Sequence, residues 1–287
     1  MMKPRVSIVI PTLGRETLYP LIENLLKQKV NFSYELVLIP QVPLKKDKLK
    51  DKKIKIHYEP LGKGFAYYRN VGIKLSRGEI LVFIDDDELP MSFNWLKTIT
   101  EPIIKRNEKV VTSGYKIKLG QGYWTDCISL LGFPGGGAMG FEVMWPLKNP
   151  PYTYHICSGN MAVKKAVFKK VGLFNISLKL RNEDTEFNQR LERDYKILHL
   201  KNNEVYHIAR SGYFNAIKWF FFQGRSAYEI KKIVKQRKDL VANRFSSAFR
   251  ILTKVSLNYT KYLPGVLFMI FNQYLTQFLG FCWEKFR

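Results

Sequence analysis

Short apolar runs alternate with amphipathic segments along the first ninety residues. The runs are rich in β-branched side chains and bounded by turn residues, which predicts buried strands. They are residues 5–10 (RVSIVI), 34–40, 54–60 and 79–84. Residues 17–28 and 66–76 carry apolar side chains at helical spacing, so helices are predicted between the strands. This alternation predicts an α/β fold with a mostly parallel open sheet flanked by helices, whose ligands bind beyond the carboxyl ends of the strands.

The pattern is less regular in the middle of the chain. Apolar spacing predicts a helix near 92–105, a strand around 110–117 and a helix at 164–171. Residues 157–163 (CSGNMAV) are typical of a turn. The glycine-rich segment 131–140 has no strand before it and no regular helix after it. We therefore interpret it as a mobile loop rather than a phosphate-binding loop.

Composition adds a strong charge bias to this picture. Hydrophobic residues make up 46% of the 287 residues and charged residues 25%, which is typical of a globular protein and excludes a disordered one. Lysine and arginine total 47 against 24 acids, a formal net charge of +23. This charge favours a polyanionic partner: nucleic acid, an anionic bilayer or a phosphorylated substrate.

The sharpest chemical signal is the run of four acids from Asp85 to Glu88, directly after the strand predicted at 79–84. Clustered carboxylates repel one another unless a cation joins them. Mn²⁺ or Mg²⁺ bridging them to a diphosphate would create a phosphate site. The alternative is that the acids cap a helix beginning near Pro90. Capping needs one acid rather than four, so the metal interpretation is favoured.

Five segments, in chain order, resemble those of glycosyltransferase family 2. Residues 62–90 (GKGFAYYRNVGIKLSRGEILVFIDDDELP) are similar to the block in which a glycine-rich turn, an Arg-Asn pair and a DxD-bearing strand follow one another. The other four are residues 6–15 (VSIVIPTLGR), 157–175, 181–191 (RNEDTEFNQRL) and 204–212. The resemblance implies a GT-A fold, which binds nucleotide sugars, and an inverting transfer of a sugar.

The resemblance also implies roles for particular acids. Asp87 would hold the Mn²⁺ or Mg²⁺ ion, Asp85 would share it or contact the ribose, and His207 would be a third ligand. Asp184 would be the general base, with Glu183 as its neighbour. An acceptor hydroxyl is a poor nucleophile near neutral pH, so a positioned carboxylate must take its proton as it attacks. A cation at the leaving diphosphate offsets the charge that develops there.

Further positions are implied on the donor and acceptor sides. The nucleotide pocket would be lined by Pro11, Thr12, Arg69, Asn70 and Asp85, and the acceptor side by Gly159 and Asn160. The sequence departs from the family pattern at Pro40 and Gln41, where an acid that contacts the nucleobase is usual. The identity of the base, whether in UDP, GDP or another donor, therefore stays open.

Two of these assignments have structural alternatives. Taken alone, His207 in its apolar setting is more typical of a hydrogen-bonded core histidine. Glu183 and Asp184 fit equally well as first-turn acids of a helix that buries Phe187 and Leu191. Only the resemblance favours the functional interpretation of these residues.

Composition changes after about residue 215, which predicts a GT-A domain at 1–215 and a helical extension at 216–287. Residues 217–261 hold eleven Lys or Arg and two acids, whereas 262–283 hold no charged side chain. An apolar helix beside many cations predicts an extension that lies in the plane of an anionic membrane surface. The alternative is a helix packed on the GT-A domain or in an oligomer formed through the C-terminal helices.

Together these features predict an enzyme of polysaccharide or glycan biosynthesis that moves a sugar from a nucleotide sugar to a glycan or lipid-linked acceptor. The apolar run near the start is too short for a signal-peptide core, so we expect the enzyme at the cytoplasmic face of a membrane, peripheral or monotopic through its C-terminal region. No nucleic acid partner is expected. Two alternatives stay open: a nucleotidyltransferase acting on a sugar phosphate, and a non-catalytic basic membrane-binding protein.

Overall fold

The chain forms two compact units, and their residues alternate along the sequence. The computed structural model describes residues 3–132, 137–145, 147–208, 212–234 and 238–287. The first unit comprises Met1–Gly114, Leu147–Lys179 and Glu183–Tyr206, and the second Tyr115–Pro146, Leu180–Asn182 and His207–Arg287. The domain boundary predicted near residue 215 stays a prediction. Residues 133–136 of the predicted mobile loop lie outside the described residues.

One mixed β-sheet runs through the first unit. Its strands are β1 (Val6–Thr12), β2 (Tyr34–Pro40), β3 (Ile54–Ile56), β4 (Ile80–Phe83), β5 (Glu88–Pro90), β6 (Val110–Lys116), β7 (Tyr152–Thr153), β8 (Met161–Lys164) and β9 (Ile197–His207). Within the described residues the order across the sheet is β3-β2-β1-β4-β8-β6-β9-β5, and β7 pairs with β9. Strands β3, β2, β1 and β4 are parallel, whereas β8 is antiparallel to both β4 and β6.

The parallel strands position the acid run. Val9 in β1 lies opposite Val37 in β2 and Phe83 in β4, and every residue of β1 and β2 is buried. Burial on both faces is expected for parallel strands, which read as continuous apolar runs. Since β1 and β4 are adjacent and parallel, the loops that follow Thr12 and Phe83 open at the same edge of the sheet. The predicted α/β fold is confirmed.

Ten α-helices lie within the described residues. They are α1 (Leu18–Leu26), α2 (Phe65–Leu75), α3 (Trp95–Arg106), α4 (Tyr123–Leu130), α5 (Phe141–Met144), α6 (Ala166–Val171), α7 (Glu183–Asp194), α8 (Tyr213–Ile233), α9 (Lys238–Asn258) and α10 (Leu263–Phe286). In the first unit, the ring of Phe83 in β4 packs on those of Phe168 and Phe174, and Phe187 packs on the same two rings, with centroids 4.5–6.1 Å apart. This aromatic cluster fixes α6 and α7 against the sheet.

The second unit is helical and has its own apolar core, which includes Cys127, Phe220, Val255 and Val266. A buried polar contact fixes the start of α10. Asp126 accepts hydrogen bonds from the backbone N–H groups of residues 120 and 121 and, at 2.7 Å, from the hydroxyl of Tyr262. A buried carboxylate satisfied in this way stabilises the loop and the helix start together.

Two local predictions differ from the structure. Residues 157–163 were expected to form a turn, but Met161–Lys164 forms β8, which lies between β4 and β6. Its four residues are too few for a period to show in the sequence, and its pairing is long-range. The strand expected at 54–60 is shorter, since β3 ends at Ile56.

Candidate active site

The acid run occupies the turn between β4 and β5. Asp86 is buried there and accepts hydrogen bonds from the Thr12 hydroxyl at 2.7 Å and the Leu13 N–H at 3.0 Å. Burial raises the pKa of Asp86, and these hydrogen bonds together with the charge of Arg15 oppose that rise. Asp86 therefore fastens the loop after β1 to the loop after β4.

Arg15 is a site residue that the sequence did not single out. Its Nη1 donates to Asp86 Oδ1 at 3.1 Å and to Asp87 Oδ2 at 2.6 Å, and its side chain is partly exposed. One guanidinium thus offsets the repulsion between two neighbouring carboxylates. The signal that would have found it is its place in the PTLGR segment, immediately beyond the strand that borders the acids.

Glu88, the last acid of the run, holds the backbone of the first. It is buried, and its Oε2 accepts a hydrogen bond from the Asp85 N–H at 2.9 Å. A Cβ atom built on Gly159 would collide with the carboxylate of Glu88, so a larger residue at that position requires Glu88 to move. The structure thus shows Gly159 against Glu88, while its predicted acceptor-side role stays a prediction.

The capping alternative for the acid run is wrong. Glu88–Pro90 forms strand β5, and the next helix, α3, begins only at Trp95 and has no acid in its first turn. Asp85, Asp86 and Asp87 therefore lie in the turn between two strands, and Glu88 begins the second strand, so a helix start does not account for the four acids.

Arg69 connects this acid run to the start of α7. It lies on α2, and its side chain is only 2% exposed. Its Nη2 donates to Asp85 Oδ1 at 3.0 Å, and its Nη1 donates to Oε1 of Glu183. Glu183 is fully buried, and burial raises its pKa, a change that the charge of Arg69 opposes. The three side chains form one ion network in the first unit.

Asp184 follows Glu183 in the first turn of α7 and is partly exposed. Its Oδ1 accepts the Thr185 N–H at 2.7 Å. The buried imidazole of His155 is close enough for the charge of Asp184 to oppose the lowering of the pKa of His155 by burial. Helix α7 buries Phe187, so the helix-start arrangement is present, and the role of Asp184 as a base stays a prediction.

The other predicted donor-side residues have structural partners. Pro11 and Thr12 end β1, and the Thr12 hydroxyl contacts Asp86 as described. Asn70 exchanges two hydrogen bonds with the backbone of Phe174, at 2.8 and 3.0 Å. These contacts place Asn70 between α2 and the segment before α7; whether any of the three also lines a nucleotide pocket stays a prediction.

The amide of Asn160 is fully occupied in the core. Its Oδ1 accepts the indole N–H of Trp95 at 3.0 Å, and its Nδ2 donates to the carbonyls of Gly114 and Asn203 at 2.9 and 3.0 Å. His207 is the last residue of β9, and its ring lies 5.3 Å from that of Tyr115. The acceptor-side role of Asn160 and the metal-ligand role of His207 stay predictions.

The carboxylates suit a cation that arrives with a phosphate group. Within the described residues, no three His, Cys, Asp or Glu side chains form a preformed metal site. Mg²⁺, however, is commonly bound by one or two carboxylates together with substrate phosphates, rather than by an all-protein cage. Asp85 and Asp87 are both partly exposed and supply hard oxygen ligands of this kind. The donor set therefore fits such an ion.

The mixed sheet and its flanking helices form a GT-A fold. The chain belongs to glycosyl transferase family 2, since the model of that family matches residues 7–172. Sequence comparison with curated proteins finds no match. Family membership confirms the predicted class of enzyme and decides against a nucleotidyltransferase or a non-catalytic protein.

Solved structures with the same fold include a mannosyltransferase and TarS. The mannosyltransferase PcManGT from Pyrobaculum calidifontis, in complex with GDP-Man and Mn²⁺, has a TM-score of 0.65 and 12% identity, covering 99% of this chain and 88% of that chain. TarS from S. aureus has a TM-score of 0.52 and 18% identity, and the match covers 90% of this chain and 44% of TarS. The TarS fragment 1–349 in complex with UDP has a TM-score of 0.53 and 19% identity, and the match covers 89% of this chain and 73% of the fragment.

Proposed function

We propose that the protein transfers a sugar from a nucleoside diphosphate sugar to an acceptor hydroxyl with inversion at the anomeric carbon. The observation that carries the proposal is the network in which Arg69 joins Asp85, on the donor side, to Glu183, beside the candidate base. Two structures of the same fold were solved with GDP-Man and with UDP, which supports a nucleoside diphosphate donor.

Asp85 and Asp87 would hold Mn²⁺ or Mg²⁺, with His207 as a candidate third ligand. When bound, the ion supplies positive charge that stabilises the departing nucleoside diphosphate. The Mn²⁺ in the PcManGT complex supports this class of cofactor. Arg15 contacts Asp87 and its side chain is partly exposed, so its guanidinium would add positive charge beside the diphosphate.

Asp184 would remove the proton from the acceptor hydroxyl. It is partly exposed, whereas its neighbour Glu183 is buried and bound to Arg69, so of the two carboxylates Asp184 is the one that an acceptor reaches. A carboxylate base and a stabilised leaving group suffice for a single displacement, which inverts the anomeric configuration. No protein nucleophile is needed.

The acceptor in this proposal is a glycan or lipid-linked saccharide at the cytoplasmic face of a membrane. One helix in the described part of the chain, Thr260–Phe286, is long and apolar enough to cross a membrane by length and composition. The excess of basic side chains in residues 217–261 adds attraction to anionic lipid.

The test is a screen of the purified protein with Mn²⁺ against a panel of nucleotide sugars. At least one donor is expected to raise the melting temperature and to release its nucleoside diphosphate when acceptor is present. The anomeric configuration of the product, determined by NMR, is expected to be opposite to that of the donor. Retained configuration would refute the single displacement, and full activity in excess chelator would refute the metal.

A further inference from the structure

Helix α10 directs its polar side chains toward the protein. Its narrow polar face lies against α8, and the two helices are joined by three hydrogen bonds. These are Tyr213 Oη to Asn272 Oδ1 at 2.9 Å, Gln277 Nε2 to Gln223 Oε1 at 2.7 Å, and Arg225 Nε to Glu284 Oε2 at 2.6 Å. At Gly280 the helices touch, since a Cβ there would lie 2.1 Å from the carbonyl oxygen of Phe221. The hydrophilic side of α10 is therefore covered.

The apolar side of the same helix faces outward. We define the apolar stripe as Leu267, Phe271, Leu275 and Phe278, whose side chains are 45–65% exposed. Their spacing of three or four residues keeps them on one face of the helix. A helix of a water-soluble domain normally has the opposite arrangement, with its apolar face in the core. A contiguous exposed apolar surface of this kind marks an interaction site.

Charge distinguishes between the two occupants that would suit an apolar stripe. Residues 213–287 hold thirteen Lys or Arg and only three acids. Lys218, Lys231, Lys254 and Lys261 are exposed among them. A second copy of the chain would bring the same excess of positive charge to the contact, whereas an anionic bilayer attracts it. The charge therefore favours lipid.

We infer that α10 lies in the plane of an anionic bilayer, with the apolar stripe among the acyl chains and α8 covering its polar side. A spanning α10 would carry α8 with it, because the two helices are bonded along their length. Lys218 of α8 lies between Tyr213 and Gln223, which contact Asn272 and Gln277, so it would then enter the hydrocarbon layer, where charged side chains are rare and costly. In the plane of the membrane, the cations of α8 meet lipid headgroups.

This inference deepens the proposed function by naming the surface that brings the enzyme to a lipid-linked acceptor. It does not depend on the donor or on the metal. Release of nucleoside diphosphate to a water-soluble acceptor, measured without vesicles, tests the proposed function separately. A failure of membrane binding and a failure of sugar transfer are therefore distinguishable.

The first test is sedimentation of the full chain with vesicles of phosphatidylglycerol or phosphatidylcholine. Wild-type protein is expected to bind the anionic vesicles at low salt, to bind the neutral ones less, and to be released only in part by high salt. The double variant Phe271→Ser/Phe278→Ser is expected to lose at least tenfold in partition, because two large side chains no longer enter the acyl layer. All the changed side chains are exposed, so circular dichroism and melting temperature should match wild type.

The matched control is Leu61→Ser/Ile176→Ser, which removes two apolar side chains of similar exposure from the first unit. It is expected to bind vesicles as wild type does. Equal binding by the stripe variant and wild type, or wild-type protein that stays in the supernatant with anionic vesicles, would overturn the inference. So would a lipid-free dimer that the stripe variant abolishes while vesicle binding is unchanged.

The second test measures how deeply α10 lies in the bilayer, from the quenching of tryptophan fluorescence by lipids brominated near the headgroup or near the chain end. The difference in quenching between Leu275→Trp/Trp283→Phe and the Trp283→Phe parent reports the middle of α10, and the difference between wild type and Trp283→Phe reports its end. An in-plane helix predicts that the shallow bromines quench both reporters more strongly than the deep ones. Stronger quenching of the mid-helix reporter by deep bromines would show a spanning helix and overturn the in-plane placement.

Discussion

Replacing Arg69 by methionine removes the one cation that touches both Asp85 and Glu183. Methionine keeps a long unbranched side chain, so it retains much of the packing against the rings of Phe65 and Phe174, which lie 5.7 and 5.9 Å from the guanidinium carbon. The charge and the hydrogen bonds are lost. Asp85 is partly exposed and water can solvate it, whereas the side chain of Glu183, the first residue of α7, is buried.

The cost of the substitution is therefore dominated by Glu183. Removing one partner of a buried ion pair destabilises a protein by about 3–5 kcal/mol, because the other charge stays buried without compensation. Domains are stable by only about 5–15 kcal/mol, so Arg69→Met should leave the first unit marginally folded near neutral pH. An exposed arginine gives the contrasting case. Arg77 also pairs with a buried carboxylate, Glu35, but Glu35 keeps hydrogen bonds from the Ser7 hydroxyl and from the residue 77 N–H, so Arg77→Met should cost less stability than Arg69→Met.

The cost should also depend on pH, with a sign that follows from the pKa of Glu183. Burial raises that pKa above its ordinary value of 4.5, so the stability linked to Glu183 is full below 4.5 and is lost as the pH rises through the raised value. Without Arg69 the pKa of Glu183 rises further. Arg69→Met should therefore be more destabilising at pH 8 than at pH 5, by about 1.4 kcal/mol for every further tenfold increase in the proton affinity of Glu183.

Urea unfolding at pH 5 and pH 8, followed by tryptophan fluorescence, to which the buried Trp95 of the same unit contributes, measures these differences in stability. The double variant Arg69→Met/Glu183→Gln should be more stable than Arg69→Met at pH 8 and should lose its extra pH dependence. Arg69 would not compensate a buried charge on Glu183 if Arg69→Met lowered the free energy of unfolding no more than Arg77→Met. The same conclusion would follow if adding Glu183→Gln restored none of the stability lost in Arg69→Met.

Three further predictions concern the acids and the glycine of the site. Asp87→Ala should abolish transfer and the Mn²⁺-dependent binding of nucleotide without changing the melting temperature; Mn²⁺-dependent thermal stabilisation by nucleotide checks this, and unchanged binding would contradict it. Asp184→Asn should keep donor affinity and lose roughly 100-fold or more in kcat, since only proton removal is affected; near-normal turnover would leave Asp184 a helix-start acid. Gly159→Ala should destabilise the first unit by about 1–3 kcal/mol, because its Cβ collides with Glu88; urea unfolding equal to wild type would show that Glu88 moves aside freely.

Local patterns in the sequence were enough to predict the parallel half of the sheet. Each of its strands is a short apolar run that ends in turn residues, and the helices between them have a regular apolar spacing. The acid run was also visible, because four acids after an apolar strand are conspicuous in any chain. Both features depend on neighbours in the sequence, which is where periodicity and turn chemistry act.

The contacts that complete the site depend on distant residues and were not predicted. The bond from Arg69 to Glu183 spans 114 positions, and nothing near either residue indicates the other. Arg15 reaches Asp87 over 72 positions. The orientation of α10 was hidden for a related reason: its pattern shows one polar and one apolar face, but not which of them α8 covers. The structure shows the polar face against α8.

Two consecutive residues of α2 hold the acid run and the start of α7 together. Arg69 bonds to Asp85 and Glu183, while Asn70 bonds to the backbone of Phe174, whose ring stacks in the aromatic cluster beneath α7. Because Glu183 and Asp184 are adjacent in one helical turn, any displacement of the first moves the second. A substitution on α2 should therefore alter both donor binding and proton removal. A loss of kcat in an Arg69 variant would consequently not identify Arg69 as a residue that touches the substrate.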